Sequence, residues 1–356
     1  MRSRLLDLLD VQHPIFLAPL GGGPSTPELA STIGNSGGLG ALAAAYLTPD
    51  QLIYDVQSAR KRTDAPLNVN LFAGGYHAST QDDPRPMLGL LEASHREVGL
   101  PEPNLPVVPP DPFDQQFEAL LSAKPRVFSF TFGIPLASAI QRAQKRGILV
   151  FGTATTVREG QLLASAGVDA IVAQGAEAGG QRGTFDVSFE EGLVPLRALV
   201  AGLANAVALP VIASGGIMNG REIAEMLRLG ASAVQLGTVF LCTPEAGTSA
   251  PYRKALLDAE EDRTRITYAF TGRGARGIEN AFMRQMAAHR DAILPFPMQN
   301  LLTRDLRKAA TQQGKPEYLS LWAGTGVAQI RAEPAAQIMR RLVDEMQEAL
   351  GGPGRI

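Results

Sequence analysis

The chain has 356 residues, 45% hydrophobic and 19% charged, so it can bury the core of one large domain with an added lobe, or of two domains. Its formal net charge of −2 gives no electrostatic reason to expect nucleic acid or an anionic membrane as a partner. The single cysteine, Cys242, excludes an intramolecular disulfide and any cysteine-based zinc or iron–sulfur site. The four histidines are scattered and form no helical pair, so we expect no metal site.

The N-terminal segment does not resemble a signal peptide, because Asp7 and Asp10 interrupt it before an apolar run of sufficient length. No stretch approaches the roughly 20 apolar residues that span a bilayer. We therefore expect a soluble, cytoplasmic protein that does not bind membranes.

Short apolar runs alternate with longer amphipathic stretches. The predicted strands span residues 14–19, 39–44, 67–71, 127–131, 149–153, 170–174, 210–214 and 233–236. The helical patterns between them span residues 26–35, 49–60, 113–123, 136–146, 157–166, 193–205 and 219–229. This alternation favours parallel strands joined by crossover helices, and eight strands are typical of a (β/α)8 TIM barrel, an α/β fold. A doubly wound open sheet is the alternative, but no G-x-G-x-x-G motif follows the first strand.

Two segments interrupt the alternation. Residues 73–112 are rich in proline and polar side chains, and residues 243–326 follow the last strand with at least two helical patterns. The final pattern, 333–350, has one apolar face and would close the barrel. We predict a barrel over residues 1–242 and 327–356 and a helical lid lobe over 243–326, with 73–112 as a candidate to join the lobe. The lobe would cover the C-terminal mouth, where barrel enzymes keep their active sites.

Glycine-rich turns follow the last two predicted barrel strands. The first contains Gly215 and Gly216, and the second reads Gln235-Leu236-Gly237-Thr238. In TIM barrels the backbone N–H groups of these two loops commonly bind phosphate. Ordinary tight turns are the alternative interpretation, but the presence of both turns at the expected places favours a phosphate site.

Other strand ends carry groups suited to a flat heterocycle. The first strand runs into Ala18-Pro19-Leu20 and three glycines, a nearly bare backbone against which a planar ring could lie. Asn68 and Asn70 share one side of the third strand, and Gln174 ends the sixth. Their amides could bind a heterocycle, although an isolated amide at such a place more often satisfies a turn.

The segment "GAEAGGQRGTF", residues 175–185, is too rich in glycine for a helix and too irregular for a strand. Gly179 and Gly180 let its backbone approach something flat or anionic. Glu177 is a candidate base, but we expect it to cap the loop. Arg182 is a candidate for anion binding, but we expect an ordinary surface salt bridge.

Five segments together resemble the class I nitronate monooxygenases, once called 2-nitropropane dioxygenases: "APLGGGPSTPELAS", "NVNLF", "AQGAEAGGQRG", "IASGGIMNGREIAEMLRLGASAVQLGTVFL" and "SLWAGTGVAQIR". The resemblance implies an FMN-dependent barrel enzyme that oxidises alkyl nitronates with O2 to carbonyl compounds and nitrite. Joined to the strand-end residues, it implies an FMN site formed by Ala18, Pro19, Leu20, Asn70, Gln174, Gly179, Gly180, Gly215, Gly216, Gln235, Leu236, Gly237 and Thr238.

The sequence departs from the family at the catalytic base. The family loop usually reads E-A-G-G-H-x-G, and its histidine is replaced here by Gln181. The family's F-H-F-G motif is replaced by "FTFG" over residues 130–133. A glutamine amide donates and accepts hydrogen bonds but takes up no proton near neutral pH, so we expect Gln181 to orient a ligand.

Several aromatic residues are candidates for the substrate side of the site. We expect Tyr318 and Trp322 mainly to pack the lobe against the barrel, and we consider Tyr76 and His77 weaker candidates to reach the mouth. Two other functions stay open: an NAD(P)H-dependent quinone or enoyl-thioester reductase on the same barrel, and a non-catalytic flavin-binding protein. The expected partners are a small molecule and O2, and the sequence predicts no oligomeric state.

Overall fold

We describe a computed structural model that covers residues 3–76, 83–261 and 263–351. Its strands are β1 (Ile15–Leu17), β2 (Gly40–Ala43), β3 (Leu67–Phe72), β4 (Val127–Thr131), β5 (Leu149–Ala154), β6 (Ala170–Gln174), β7 (Gly180–Gln181), β8 (Val211–Ser214), β9 (Ala233–Leu236), β10 (Thr264–Thr267) and β11 (Ala275–Ile278). Its α-helices are α1 (Arg4–Leu9), α2 (Pro27–Asn35), α3 (Pro49–Arg60), α4 (Arg85–Glu97), α5 (Phe113–Ala123), α6 (Ala137–Gln144), α7 (Val157–Ser165), α8 (Leu196–Ala206), α9 (Gly220–Arg228), α10 (Ala250–Leu257), α11 (Ala281–Ala287), α12 (Met298–Leu302), α13 (Arg304–Gln313) and α14 (Ala335–Leu350).

Eight parallel strands form a nearly closed (β/α)8 TIM barrel. Their order is β1-β9-β8-β6-β5-β4-β3-β2, and Phe16 of β1 forms a bridge with Leu39, which directly precedes β2. The predicted barrel and its eight strands are confirmed, with bounds that agree to within a residue or two. The carboxyl ends of all eight strands therefore meet at one mouth.

The predicted crossover helices are confirmed, and several begin with a capping side chain. Thr26 accepts a hydrogen bond from the backbone N–H of Leu29, and Thr48 forms a capping box with Gln51. The last helix, α14, packs against α9 and α2 with Ile338, Leu342, Val343 and Met346 buried. It thus covers the barrel where β9 meets β1.

The N-terminal end of the barrel is plugged by α1, a helix that the sequence pattern does not predict. Leu5, Leu6 and Leu9 are each 1% exposed and belong to one hydrophobic cluster with Phe16 and Phe151 inside the barrel. A six-residue helix is too short for its period to be recognised in the sequence. This plug closes the end of the barrel away from the mouth.

The two interrupting segments share a second hydrophobic cluster. The sequence predicts no helix in 73–112, yet α4 lies there, and its Met87 and Leu91 pack with buried residues between Leu241 and Val327. This cluster favours joining 73–112 to the lobe, but the division of the chain into domains stays a prediction. Along the described chain, no helix combines the length and apolarity needed to cross a membrane.

The glycine-rich loop contains a short strand, so the expectation that it is too irregular for one is wrong. Gly180 and Gln181 form β7, which pairs antiparallel with β11: Gln181 lies opposite Ala275 and Gly180 opposite Arg276. On its other side β11 pairs with β10. The partner comes from a segment far along the chain, which no local pattern can reveal.

The α1 plug makes a testable contribution to stability. Leu6→Ala should lower the free energy of unfolding by about 2–5 kcal/mol, because it removes buried side-chain volume that neighbours cannot refill. Leu8→Ala is the matched control, since Leu8 of the same helix is 42% exposed and should change stability by about 0.5 kcal/mol or less. Urea unfolding of the two variants measures this difference, and equal losses would show that α1 is no plug.

Candidate functional site

A cavity of about 570 Å³ opens at the C-terminal mouth of the barrel. Its volume lies within the roughly 300–1,000 Å³ typical of small-molecule and cofactor sites. The structure places every residue of the expected FMN site on its wall, together with Gln181: Ala18, Pro19, Leu20, Asn70, Gln174, Gly179, Gly180, Gly215, Gly216, Gln235, Leu236, Gly237 and Thr238. Residues from the 243–326 segment complete the wall, Gly247, Thr248, Tyr252 and Asn300 among them.

The turns after β8 and β9 present unpaired backbone donors. Gly215 and Gly216 have φ values of +137° and +70°, which favour glycine. Within the described chain, the N–H groups of these glycines and of Gly237 donate no hydrogen bond. Thr238 Oγ1 accepts the N–H of Gly324 at 2.9 Å, which leaves the hydroxyl proton of Thr238 available. Because three partly buried N–H groups without acceptors converge here, an anionic group fits this part of the wall.

The side-chain amides on the wall differ in what they already bind. Gln174 holds the loop, since its Oε1 accepts the N–H of Gly183 at 2.7 Å and its Nε2 donates to the carbonyl of Gln181 at 3.0 Å. Asn70 Nδ2 donates to Ser129 Oγ at 3.0 Å. The half-buried amide of Gln235 bonds to no described residue and is free to meet a heterocycle.

Arg182 supports the loop from inside, so the expectation of a surface salt bridge is wrong. Its side chain is 3% exposed. Nη2 donates to the carbonyls of Gln174 and Gly192, both at 2.9 Å, and Nη1 donates to the carbonyl of Gly175. Burial lowers the pKa of Arg182 to about 10, so it remains charged at neutral pH. Three backbone carbonyls thus accept the hydrogen bonds that a carboxylate would accept in the expected salt bridge.

Glu177 caps the helix α8, whereas the sequence analysis expects it to cap its own loop. Its Oε1 and Oε2 accept the N–H of Leu196 at 3.2 and 2.9 Å, at the first residue of α8. The carboxylate does not line the cavity. It is therefore poorly placed to act as a base there.

Gln181 lies in a chain of polar contacts. Its Nε2 donates to the hydroxyl of Tyr46 at 3.0 Å, and its Oε1 accepts Nη1 of Arg273 at 3.4 Å. The Arg273 guanidinium carbon lies 3.7 Å from the ring centroid of Phe132 and 3.8 Å from that of Phe296. Burial lowers the pKa of Arg273 to about 10, which keeps it a cation near neutral pH.

No described residue on the cavity wall is a base that can accept a proton near neutral pH. Among the described residues that line the cavity, there is no histidine, carboxylate or cysteine. Burial raises the pKa of Tyr46 and of Tyr252, whose hydroxyl donates to the carbonyl of Trp322. The other titratable groups on the wall are Arg304, Arg307 and Lys308.

One face of α13 makes the outer wall cationic, a feature that the sequence analysis misses. Arg304, Lys308 and Thr311 recur at the three- and four-residue spacing of one helix face. Arg307 donates to Oδ1 of Asn300 at 2.8 Å, whereas Lys308 forms no ion pair with any described residue. The segment "RDLRK" contains these charges; Arg304 is paired with Asp305 at 3.2 Å, so Lys308 is the cation of this face that is left to attract an anion.

The aromatic candidates differ in whether they line the cavity. Trp322 lines the cavity and also packs edge-on against Phe270, with ring centroids 5.7 Å apart. Tyr318 is buried in the second cluster and donates to the carboxylate of Glu97 in α4, so its packing against the barrel stays a prediction. Tyr76 donates to the carbonyl of Pro109 at 2.9 Å and does not line the cavity. His77 lies outside the described residues.

Comparison with known proteins points to one family. The family model described as nitronate monooxygenase matches residues 2–345. A probable nitronate monooxygenase from Staphylococcus haemolyticus is 35% identical over 350 residues, which cover 98% of each chain. Nitroalkane oxidase from Streptomyces ansochromogenes is similar in structure, with a TM-score of 0.89 and 38% identity over 98% of this chain and 99% of that one. FabK from Thermotoga maritima has a TM-score of 0.77 and 27% identity over 98% and 97%.

The turn after β9 provides a test of the anion site. An added Cβ at Gly237 would lie 3.3 Å from Leu20 Cδ2 and 3.5 Å from Ala18 Cβ, so Gly237→Val should crowd the wall and lower the flavin content of the purified protein at least several-fold. Gly89→Val is the matched control, because nothing lies within 4 Å of a Cβ there. Flavin absorbance per polypeptide is the measurement. Undiminished flavin in the Gly237 variant would show that this turn does not hold the anionic group of the cofactor.

Proposed function

Because the chain belongs to the nitronate monooxygenase family of flavin-dependent oxidoreductases, we propose that it binds FMN and oxidises alkyl nitronates with O2, releasing a carbonyl compound and nitrite. One observation carries the choice of substrate: the cavity wall is cationic and lacks a neutral-pH base among the described residues. Family membership also indicates an enzyme, which argues against the non-catalytic flavin-binding alternative.

Hydrogen-bonding groups on the wall support an assignment for the phosphate and for the ring system of FMN. We assign the phosphate to the unpaired N–H groups of Gly215, Gly216 and Gly237, with the hydroxyl of Thr238 as a further donor. We assign the free amide of Gln235 to a polar edge of the ring system. Held by these residues, FMN would supply the electron transfer between the nitronate and O2.

An alkyl nitronate suits a site without a base. It arrives as an anion, so no protein group has to remove a proton from carbon before it is oxidised. Lys308 on the outer wall attracts such an anion, whereas Arg304 beside it is paired with Asp305 at 3.2 Å; Gln181 lies on the same wall and donates to Tyr46. A neutral nitroalkane must first lose a proton, a step for which general base catalysis is typically worth about 10² to 10⁴ in rate.

We also propose that residues 243–326 act as a lid lobe. Thr248, Thr271 and Trp322 of this segment line the same cavity as the barrel turns. The strand β11 of the same segment pairs with the glycine-rich loop, and this pairing holds the segment at the mouth. A wall of this kind limits the access of water to the reacting atoms.

The absence of a base predicts a sharp substrate preference. The wild-type protein should oxidise preformed ethyl nitronate but turn over neutral nitroethane at least about 100-fold more slowly. Gln181→His should raise nitroethane turnover, with a rate that increases as pH rises through the histidine pKa of about 6.5, because only neutral imidazole accepts the proton. Nitronate turnover should change less.

Gln181→Asn is the matched control, since it keeps an amide and adds no base. Oxygen consumption with each substrate measures the effect. Efficient wild-type turnover of nitroethane, with no lag for ionisation in solution, would reveal another base and contradict the proposal.

A second candidate is an NAD(P)H-dependent quinone or enoyl-thioester reductase. The similarity to FabK and the cationic wall at Arg304 and Lys308, which could pair with nucleotide phosphates, favour it. Anaerobic stopped-flow mixing with NADPH separates the two functions. Rapid bleaching of the flavin would support the reductase, and an unchanged flavin spectrum supports the nitronate monooxygenase.

A further inference from the structure

The amide of Gln181 has only one orientation that fits its neighbours. The guanidinium of Arg273 has donors but no acceptor, so the atom of Gln181 that faces it must be Oε1. Nε2 then faces the hydroxyl of Tyr46 at 3.0 Å. The direction of each hydrogen bond in this chain is thereby determined: Arg273 donates to Gln181, and Gln181 donates to Tyr46.

Arg273 is itself held in place. Its Nη2 donates to the carbonyls of Gly74 and Gly75 at 3.0 and 2.8 Å. The rings of Phe132 and Phe296 lie against its guanidinium group, where cation–π attraction stabilises the charge. The guanidinium cannot turn away from Gln181 without losing these contacts.

The proton of the Tyr46 hydroxyl is left for a ligand. The oxygen accepts from Gln181, and no described residue accepts from it in turn. The ring packs edge-on against Phe72, with centroids 5.4 Å apart, and lies beside Gly21, where an added Cβ would be 3.6 Å away. Tyr46 lines the cavity, so its free O–H can point only to a bound molecule or to solvent in that space.

The hydroxyl stays protonated when the substrate arrives. Although 43% of the residue surface is exposed, partial burial desolvates the phenol and raises its pKa. The hydrogen bond from Gln181 and the charges of Arg273 and Arg307 oppose this shift, but burial outweighs them. A neutral phenol is a donor throughout the physiological pH range.

We propose that Tyr46 donates the hydrogen bond that orients one oxygen of a small planar oxyanion, and that Gln181 and Arg273 are positioning residues that act through it. The identification of this oxyanion as a nitronate rests on the proposed function. The assignment explains how a glutamine can serve where the family resemblance implies a histidine: its amide orients a hydrogen-bond donor and transfers no proton.

The test uses propionate as a probe, because this anion has the size, charge and planar oxygen pair of ethyl nitronate but is redox-inert. Calorimetric titration of the FMN-loaded protein gives its Kd. Tyr46→Phe should raise that Kd about 10- to 100-fold, the typical worth of a hydrogen bond to a charged group. Tyr54→Phe, which removes a hydroxyl from a residue 67% exposed on α3, should leave the Kd unchanged.

A double-mutant cycle tests the positioning role. Gln181→Met removes the amide at similar volume and should weaken propionate binding in the wild-type background. In the Tyr46→Phe background it should change the Kd by less than about 2-fold, because the group through which it acts is already absent. Additive losses would overturn the positioning role of Gln181.

The outcomes for Tyr46 and for nitronate oxidation are distinct. If Tyr46→Phe weakens propionate binding but the wild-type protein does not oxidise ethyl nitronate, the proposed function fails and the role of Tyr46 stands. If nitronate is oxidised and Tyr46→Phe leaves the propionate Kd unchanged at full FMN content, the role of Tyr46 is wrong. A wild-type protein that does not bind propionate at millimolar concentration would also overturn it.

Discussion

The pairing of Gly180 and Gln181 with β11 is the interaction on which the site depends. It joins a loop that leaves the barrel after β6 to a segment that follows the complete barrel in sequence. Gln181, the last residue of β7, lines the cavity, whereas Arg182, the next residue, turns into the interior and is 3% exposed. The same pairing brings Arg273, just before β11, within reach of Gln181.

The rest of the loop is held by internal contacts that leave the cavity wall free. Arg182 satisfies three carbonyls around the end of β6, and Glu177 satisfies the first N–H of α8. With these groups paired inside, the wall keeps unpaired donors at Gly215, Gly216 and Gly237. Such preorganised donors would bind a ligand without first breaking protein hydrogen bonds, a condition that favours tight cofactor binding.

Much of the barrel, and the residues that line its cavity, could be predicted from the sequence because both depend on local patterns. Apolar runs of strand length and glycines after the last strands are visible in one chain, and parallel topology places their ends together. The missed features depend on distant partners: β7 needs β11, and Arg182 needs carbonyls that only the folded loop presents. The cationic face of α13 was readable as a pattern, but only the fold shows that Arg304 and Lys308 face the cavity.

The central claim is that the cavity works on a preformed anion without a protein base. The most direct measurement is kcat/KM for preformed ethyl nitronate as a function of pH. The titratable groups among the described lining residues are tyrosines, arginines and a lysine, with ordinary pKa values of about 10 or above. We therefore predict a flat profile between about pH 6 and 8. A rise or fall with an apparent pKa near 6 to 7 would show an ionising group at work in the site and contradict the account.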